Sequence, residues 1–177
     1  MEDRIERRDF LRTTLGAALG VAAFTATGAS VLGALRPLAL GAQAALPVMT
    51  VYKSASCGCC TAWVEHARKS GFTVKTVDTE DLGGVKREMG IPSRLQSCHT
   101  VVVGSYVVEG HVPAADVKRL LAEKPKVRGL AVPGMPVGSP GMEQGSPANY
   151  DRYDVVAFTS DGKQSVFATH GPAAKSR

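Results

Sequence analysis

Aromatic residues are scarce in this chain of 177 residues, at 6% of the sequence, and the charge balance is mild, with a formal net charge of +5. The densest basic groups, Lys118-Arg119 and residues 124–128, contain no interleaved aromatic side chains of the kind that stack on bases. Nucleic-acid binding is therefore not expected. With 44% hydrophobic and 21% charged residues, the chain also lacks the composition of a disordered or fibrous protein, and it is long enough to bury the core of one globular domain.

Charged side chains are absent from residues 13–35, a stretch rich in Ala and Gly. Such a run can enter a bilayer because none of its side chains requires water. It is preceded by Arg7-Arg8-Asp9-Phe10-Leu11-Arg12 and followed by Ala42-Gln43-Ala44, which offers a small-residue cleavage site. The segment resembles a twin-arginine export signal, in which Arg7 and Arg8 form the arginine pair.

Two fates are open for this segment. The uncharged run is long enough to anchor the protein in a membrane, but its high Gly and Thr content and the cleavage site favour removal. We therefore divide the chain into a twin-arginine-type signal segment, residues 1–44, and a domain of residues 45–177 that is exported to the periplasm. The membrane is then contacted only through the signal segment, if that segment is not cleaved.

Residue periodicity in the exported part predicts an alternation of strands and helices. The expected strands are at 48–52, 72–77, 100–103 and 106–109, and the expected helices are at 59–70, 81–89 and 113–124. Gly104-Ser105 separates the third and fourth strands by the two residues of a tight hairpin. The order β-α-β-α-β-β-α, with Cys57 and Cys60 at the start of the first helix, is that of a thioredoxin-like α/β domain.

The C-terminal part is less regular. Residues 129–147 are predicted to form a Gly- and Pro-rich loop, and strands at 153–158 and 164–168, turning at Asp161-Gly162, to form a final β-hairpin. Because this segment is too short for a core of its own, we expect an appendage packed on the same domain.

Three of the four cysteines lie within four residues, at Cys57, Cys59 and Cys60. Structural disulfides are the ordinary use of cysteine in an oxidising compartment, but the adjacent Cys59 and Cys60 are poorly placed to bridge each other. The first turn of a helix stabilises the thiolate, which is the form of cysteine that binds metal and acts as a nucleophile. Three soft sulfur atoms in one turn favour Cu(I) or another thiophilic ion over Mg²⁺ or Ca²⁺.

The alternative use of this motif is a reversible Cys57–Cys60 disulfide in a thiol-disulfide oxidoreductase. Such an enzyme normally places a cis-proline immediately before the strand that faces the motif. Here Ser97-Cys98-His99 precedes that strand, so a thiol and an imidazole, both metal ligands, stand where the proline is expected. We therefore favour metal binding over thiol exchange. A third alternative is a structural tetrahedral zinc site with the ligands Cys57, Cys60, Cys98 and His99.

The Gly- and Pro-rich loop contains the tripeptide Pro-Gly-Met twice, ending at Met135 and Met142. A thioether is a soft, neutral ligand for Cu(I), although a methionine equally serves to fill a gap between loop and core. Among the histidines, His66 is expected on the solvent-facing side of the first helix. His111, at a strand end, is suited to reach the motif, to cap a helix or to lie at the surface, and His170 carries the weakest signal.

Several motifs occur in a distinctive order: Cys57-Gly58-Cys59-Cys60, Ser97-Cys98-His99-Thr100, Glu109-Gly110-His111-Val112-Pro113 and the two Pro-Gly-Met segments. In these motifs the chain resembles the CopG-type copper-resistance family of exported metal-binding proteins, formerly a domain of unknown function. That family is unrelated to the plasmid DNA-binding regulators of the same name. The resemblance covers residues 48–170, which is nearly all of the exported part.

The resemblance implies a thioredoxin-like fold and periplasmic handling of copper in resistance or trafficking, with a redox-capable, thiolate-bridged cluster as one form of the site. The residues at the matching positions are Cys57, Cys59, Cys60, Cys98, His111, Met135 and Met142. Cu(I) is the expected ion, and a copper efflux or chaperone protein is the expected partner. Zinc and the Cys57–Cys60 oxidoreductase are the alternatives.

Overall fold

The computed structural model describes residues 45–172, so the predicted signal segment lies outside the described residues. The elements of this range are β1 (Met49–Lys53), α1 (Gly58–Lys69), β2 (Val74–Asp78), α2 (Leu82–Glu88), β3 (Thr100–Val103), β4 (Tyr106–Glu109), α3 (Ala114–Glu123), β5 (Gly129–Ala131), β6 (Tyr153–Phe158) and β7 (Gln164–His170). Short 3-10 turns lie at Ser93–Leu95 and Pro147–Asn149. The predicted order of the first seven elements is confirmed. No helix among the described residues is long and apolar enough to cross a membrane.

All strands of the described range join one sheet, in the order β2-β1-β3-β4-β5-β6-β7. The pairs β1–β2 and β4–β5 are parallel, and the other neighbours are antiparallel. In the β1–β3 pair Tyr52 lies opposite Thr100. The chain leaving β1 and the chain entering β3 therefore meet at one end of the sheet, which brings residues 57–60 next to Cys98.

Helix α1 forms because its apolar residues recur at helical spacing and face the sheet. Its buried residues are Cys60, Trp63, Val64 and Ala67. The helix ends at Lys69, and Gly71, just beyond its C-cap, has the positive φ of +92° that suits glycine after a helix. Helix α2 begins after Asp81, whose side chain accepts a hydrogen bond of 2.7 Å from the Gly84 N–H.

The sheet separates two hydrophobic clusters, because consecutive strand residues point to opposite faces. Val108 and Leu130 belong to the larger cluster, together with the buried side chains of α1 and α3. Their neighbours Val107 and Ala131 belong to the smaller cluster, with Phe158 and the residues that follow α2. The face that carries α1 and the face that carries α2 are therefore both buried.

The predicted start of the Gly- and Pro-rich loop, residue 129, is wrong. Residues 129–131 form strand β5 instead. Its first residue approaches β4 so closely that a Cβ atom on Gly129 would lie 1.8 Å from the Val107 carbonyl oxygen. Glycine is therefore required for this parallel pairing. The predicted C-terminal hairpin is present as β6 and β7, and β5 joins it to the central sheet.

The substitution Gly129→Ala is expected to destabilise the fold by about 1–3 kcal/mol, because the added methyl group must displace backbone rather than a flexible side chain. Gly58→Ala is the matched control, since a Cβ at this helical position meets nothing within 4 Å and is expected to change stability by less than about 1 kcal/mol. Urea unfolding measures both. Equal midpoints for the two variants would contradict the close approach of β5 to β4.

Candidate metal centre

The motif cysteines lie where β1 gives way to α1. Cys57 has an extended backbone and stands at the N-cap of the helix, and Cys60 is fully buried one turn into it. Their sulfur atoms form a disulfide, with the two Cα atoms 5.4 Å apart. Cys59 and Cys98 are free and half-buried.

Cys98 completes a group of four sulfur atoms that all lie within 4.8 Å of one another. The Cys59 Sγ lies 3.5 Å from the Cys57 Sγ and 3.9 Å from the Cys98 Sγ. The Cys60 Sγ lies 3.6 Å from the Cys98 carbonyl oxygen. Cys59 is thus the central sulfur of the group, between the helix motif and the segment that enters β3.

Two histidines adjoin Cys98 and form a second donor group with it. The His111 Nε2 lies 3.0 Å from the Cys98 Sγ, and the His99 Nδ1 lies 3.3 Å from the same atom. Both imidazoles are fully buried, and burial lowers the pKa of each, for His99 well below its ordinary value. Neutral imidazole is the form that binds a metal ion.

A backbone carbonyl fixes the tautomer of His111. Its Nδ1 lies 2.7 Å from the Pro140 oxygen, and because a carbonyl only accepts, Nδ1 must carry the proton. The Nε2 atom then presents a lone pair towards Cys98. Metal-binding histidines are commonly oriented by this kind of contact.

His99 holds an unpaired polar atom. Its ring lies 4.8 Å from that of Trp63 and 5.0 Å from that of His111, between centroids, and its buried Nε2 has no hydrogen-bond partner among the described residues. A buried nitrogen without a partner is costly, and a bound cation is one way to satisfy it. The donors of this region, thiol and imidazole, fit a soft or borderline transition metal.

The Cys98 thiol is protonated in the metal-free protein. Burial, with the neighbouring Cys59 as the next cause, raises the pKa of the Cys98 thiol to about 12. A metal ion that binds to this sulfur must therefore displace its proton.

Both Pro-Gly-Met segments pass close to the cysteines through their backbones. The Gly134 oxygen accepts a hydrogen bond from the Ser97 hydroxyl. A Cβ on Gly141 would lie 2.7 Å from the Cys59 oxygen and 2.8 Å from the Trp63 nitrogen. Met135 is 52% exposed and Met142 is half-buried; their assignment as ligands stays a prediction.

The other two histidines serve structural contacts. His66, predicted to be solvated, is half-buried, and its Nε2 accepts a 3.1 Å hydrogen bond from the Ala114 N–H at the start of α3. Its predicted position on the first helix agrees with the structure, but the local sequence pattern does not contain the packing of α3 against that face. His170 contacts Asp116, with 2.6 Å between Nε2 and Oδ2.

Sequence reasoning missed a buried ion pair behind the Cys98 segment. The Lys86 Nζ lies 2.5 Å from Glu109 Oε1, and neither side chain is more than 7% exposed. Burial raises the pKa of Glu109, and the Lys86 ammonium acts in the opposite direction. One signal was available: Glu109 ends a predicted strand whose other residues, 106–108, are all β-branched or aromatic.

Comparison with known proteins assigns the chain to a family. The model of a family described as "Protein of unknown function, DUF411" matches residues 95–142. Two solved structures of copper resistance protein CopG, form 1 and form 2, are each 45% identical to this chain and match 71% of its length. The match covers 99% and 98% of those chains, with TM-scores of 0.66 and 0.67.

The chain belongs to the CopG copper-resistance family. The resemblance seen in the sequence motifs is thereby confirmed, together with the thioredoxin-like α/β class. No curated protein sequence matches the chain. The stretch matched by the family model contains every predicted ligand outside the helix motif, namely Cys98, His111, Met135 and Met142.

The two Pro-Gly-Met segments of this CopG-family protein provide a matched pair of substitutions. Gly134 and Gly141 both have positive φ, +68° and +85°, but a Cβ on Gly134 meets nothing within 4 Å, whereas one on Gly141 meets the first turn of α1. Both changes to alanine incur backbone strain, and Gly141→Ala is expected to cost about 1–3 kcal/mol more. Urea unfolding compares them, and an equal loss in the two variants would disprove this packing of the second segment.

Proposed function

We propose that this protein binds copper in copper resistance or trafficking and holds Cu(I) in the cysteine group. The observation that carries the proposal is the convergence of four cysteine sulfurs within 4.8 Å, with two buried imidazoles beside Cys98. The residues proposed as ligands are Cys57, Cys59, Cys60, Cys98, His111, Met135 and Met142. Membership of a copper-resistance family supports copper as the ion.

The arrangement of the sulfurs favours Cu(I) over harder ions. Thiolate and thioether are soft ligands. With Cys98, the group offers four cysteine sulfurs, one more than the helix motif alone. Cys59 lies between Cys57 and Cys98, which supports a bridging role for its thiolate. We therefore propose a thiolate-bridged cluster as the loaded form.

Loading with all four thiols requires reduction of the Cys57–Cys60 disulfide. Two electrons and two protons convert the disulfide into two thiols, and metal binding then releases thiol protons. An external thiol or phosphine supplies these electrons in the test tube. The same sulfurs give the site a redox capability, since they are able to return two electrons on reoxidation.

A thiol-disulfide oxidoreductase is the second candidate function, and the Cys57–Cys60 disulfide is the observation that favours it. A free thiol, Cys59, lies 3.5 Å from Cys57, which is also compatible with exchange. Against it, the substrate-docking place in front of the motif is filled by Cys98 and His99. Zinc bound by thiolates and imidazole is a further outcome to be tested.

Periplasmic location and export by the twin-arginine route are part of the proposal. They rest on Arg7, Arg8 and the uncharged run in residues 1–44, which lie outside the described residues. A copper efflux or chaperone protein is the proposed partner for metal exchange, because a buried thiolate site needs a donor or acceptor of the ion.

Reduced, metal-free protein, loaded anaerobically with Cu(I) or Zn(II) and desalted, is expected to retain several copper ions and to protect its four thiols from alkylation. The variant Cys98→Ser lacks one proposed ligand and is expected to retain less copper. Its loss of copper affinity is expected to exceed the loss of about 10–100-fold that follows when a residue supporting a ligand is changed. Metal analysis and mass spectrometry of alkylated peptides measure both. A protein that retains no metal and rapidly cycles its Cys57–Cys60 disulfide would be an oxidoreductase instead, and preferential retention of zinc would point to the zinc site.

The double variant Met135→Leu/Met142→Leu tests the loop thioethers. Leucine keeps the bulk and removes the sulfur, so copper affinity is expected to fall while the fold is retained. Met89→Leu is the matched control, because Met89 packs against the smaller hydrophobic cluster. Competition with a chromogenic Cu(I) chelator measures affinity. Identical affinities for the double variant and the control would remove both methionines from the ligand set.

A further inference from the structure

The buried ion pair of Lys86 and Glu109 lies on the face of the sheet opposite α1. Lys86 is on α2 and Glu109 is the last residue of β4, and their charged atoms are 2.5 Å apart. Burial of such a pair costs desolvation of both charges, and replacement by apolar residues is often neutral or stabilising. Stability alone therefore does not account for the pair.

The Glu109 carboxylate binds both ends of the segment that carries Cys98. Its Oε1 accepts a 2.6 Å hydrogen bond from the Ser97 N–H, and its Oε2 accepts one of 2.6 Å from the Thr100 hydroxyl. Cys98 and His99 are the two residues between these attachment points. One carboxylate is thus hydrogen-bonded to both residues that flank the dipeptide.

Lys86 strengthens the same attachment. Its ammonium donates to Glu109 and also, at 3.0 Å, to the Thr100 hydroxyl oxygen. Next to Glu109, the Gly110 N–H donates a 2.9 Å hydrogen bond to the His99 oxygen. A Cβ on Gly110 would lie 2.6 Å from the Ser97 side chain, so the two segments are in close contact.

The orientation of Cys98 follows from these contacts. Residues 97 and 98 precede β3 and are not part of its ladder with β1, which begins at the pair Tyr52–Thr100. The segment is also held by the Ser97 hydroxyl on the Gly134 oxygen and by the Gly110 N–H on the His99 oxygen. The Glu109 carboxylate adds the two bonds that flank Cys98 and His99, and the Cys98 sulfur in this arrangement lies 3.9 Å from Cys59 and 3.0 Å from His111.

We propose that Lys86 and Glu109 are positioning residues that hold Cys98 and His99 in place for metal binding. They act from behind the sheet and touch no ion. This inference rests on the proposed copper function for its effect on affinity, but the placement of Cys98 is measurable without metal.

The test compares Glu109→Gln, Lys86→Met and the double variant Lys86→Met/Glu109→Gln in the full-length protein. Glu109→Gln leaves the Lys86 charge buried without its partner. The double variant removes both charges but keeps an oxygen for the Ser97 N–H and an amide donor for Thr100. Asp116→Asn is the control, since it removes a carboxylate charge at the contact between α3 and His170 of β7, which lies away from Cys98 in sequence and on other elements.

Two readouts are taken on each variant: the alkylation rate of Cys98 relative to Cys59 in the reduced, metal-free protein, and the Cu(I) affinity. Glu109→Gln and Lys86→Met are expected to raise the relative rate for Cys98 several-fold and to weaken copper binding about 10–100-fold. The double variant is expected to recover towards the original protein on both readouts, while Asp116→Asn leaves both unchanged. If Glu109→Gln does not fold, Lys86→Met and the double variant carry the test.

The outcomes separate the two proposals. An unchanged Cys98-to-Cys59 ratio in the single variants, or the same change in Asp116→Asn, would overturn the positioning role and leave the copper function standing. Failure of the original protein to retain copper would overturn the copper function, while the alkylation ratios would still decide the role of Lys86 and Glu109.

Discussion

The packing of Trp63 is the interaction on which the arrangement of the donor groups depends. Its Nε1 donates a 2.9 Å hydrogen bond to the Val112 oxygen, its ring packs against His99, and its backbone lies under Gly141. Three segments that are distant in sequence are thus fixed to the first turns of α1. The Trp63 side chain is fully buried and its N–H is hydrogen-bonded. The segments that carry the donor groups are therefore held together by packing.

The crowding of the sulfur atoms sets two chemistries in competition. The four cysteine sulfurs are close enough to share a metal ion when all are reduced. In the disulfide form, the Cys59 thiol lies 3.5 Å from the Cys57 sulfur, which is close enough for thiol-disulfide exchange. Burial of Cys98 keeps its thiol protonated, which slows its attack on a disulfide, since the thiolate is the nucleophile. The environment therefore restrains exchange at this sulfur and leaves it available to an ion that displaces the proton.

Local patterns predicted the elements that carry their own signals. The helix after the motif, the β3–β4 hairpin at Gly104-Ser105 and the C-terminal hairpin all follow from periodicity and turn residues. Strand β5 was missed because its three residues lie in a Gly- and Pro-rich context and become a strand only through pairing with β4 and β6. That pairing is non-local, and no window of sequence contains it.

The residues of the candidate site also fall into those that a local pattern predicts and those that depend on non-local packing. The helix motif was evident from spacing, and Cys98 followed from the place of β3 in a thioredoxin-like order. The Lys86–Glu109 pair and the burial of His66 depend on how α2 and α3 pack, which single-residue patterns do not report. The tautomer of His111 depends on the Pro140 carbonyl from a loop far along the chain, and only the folded arrangement supplies it.

The route of the chain between β5 and β6 has a consequence for how such a protein can change. These strands are hydrogen-bonded neighbours, so residues 132–152 leave the sheet and return to it at adjacent positions, and the excursion is closed near its base by the Asp151 N–H on the Val137 oxygen. Both ends of this segment are therefore fixed by the pairing of β5 with β6. Its length can therefore change with a small entropic penalty, as long as Pro140 keeps its contact with His111 and Gly141 keeps its contact with α1.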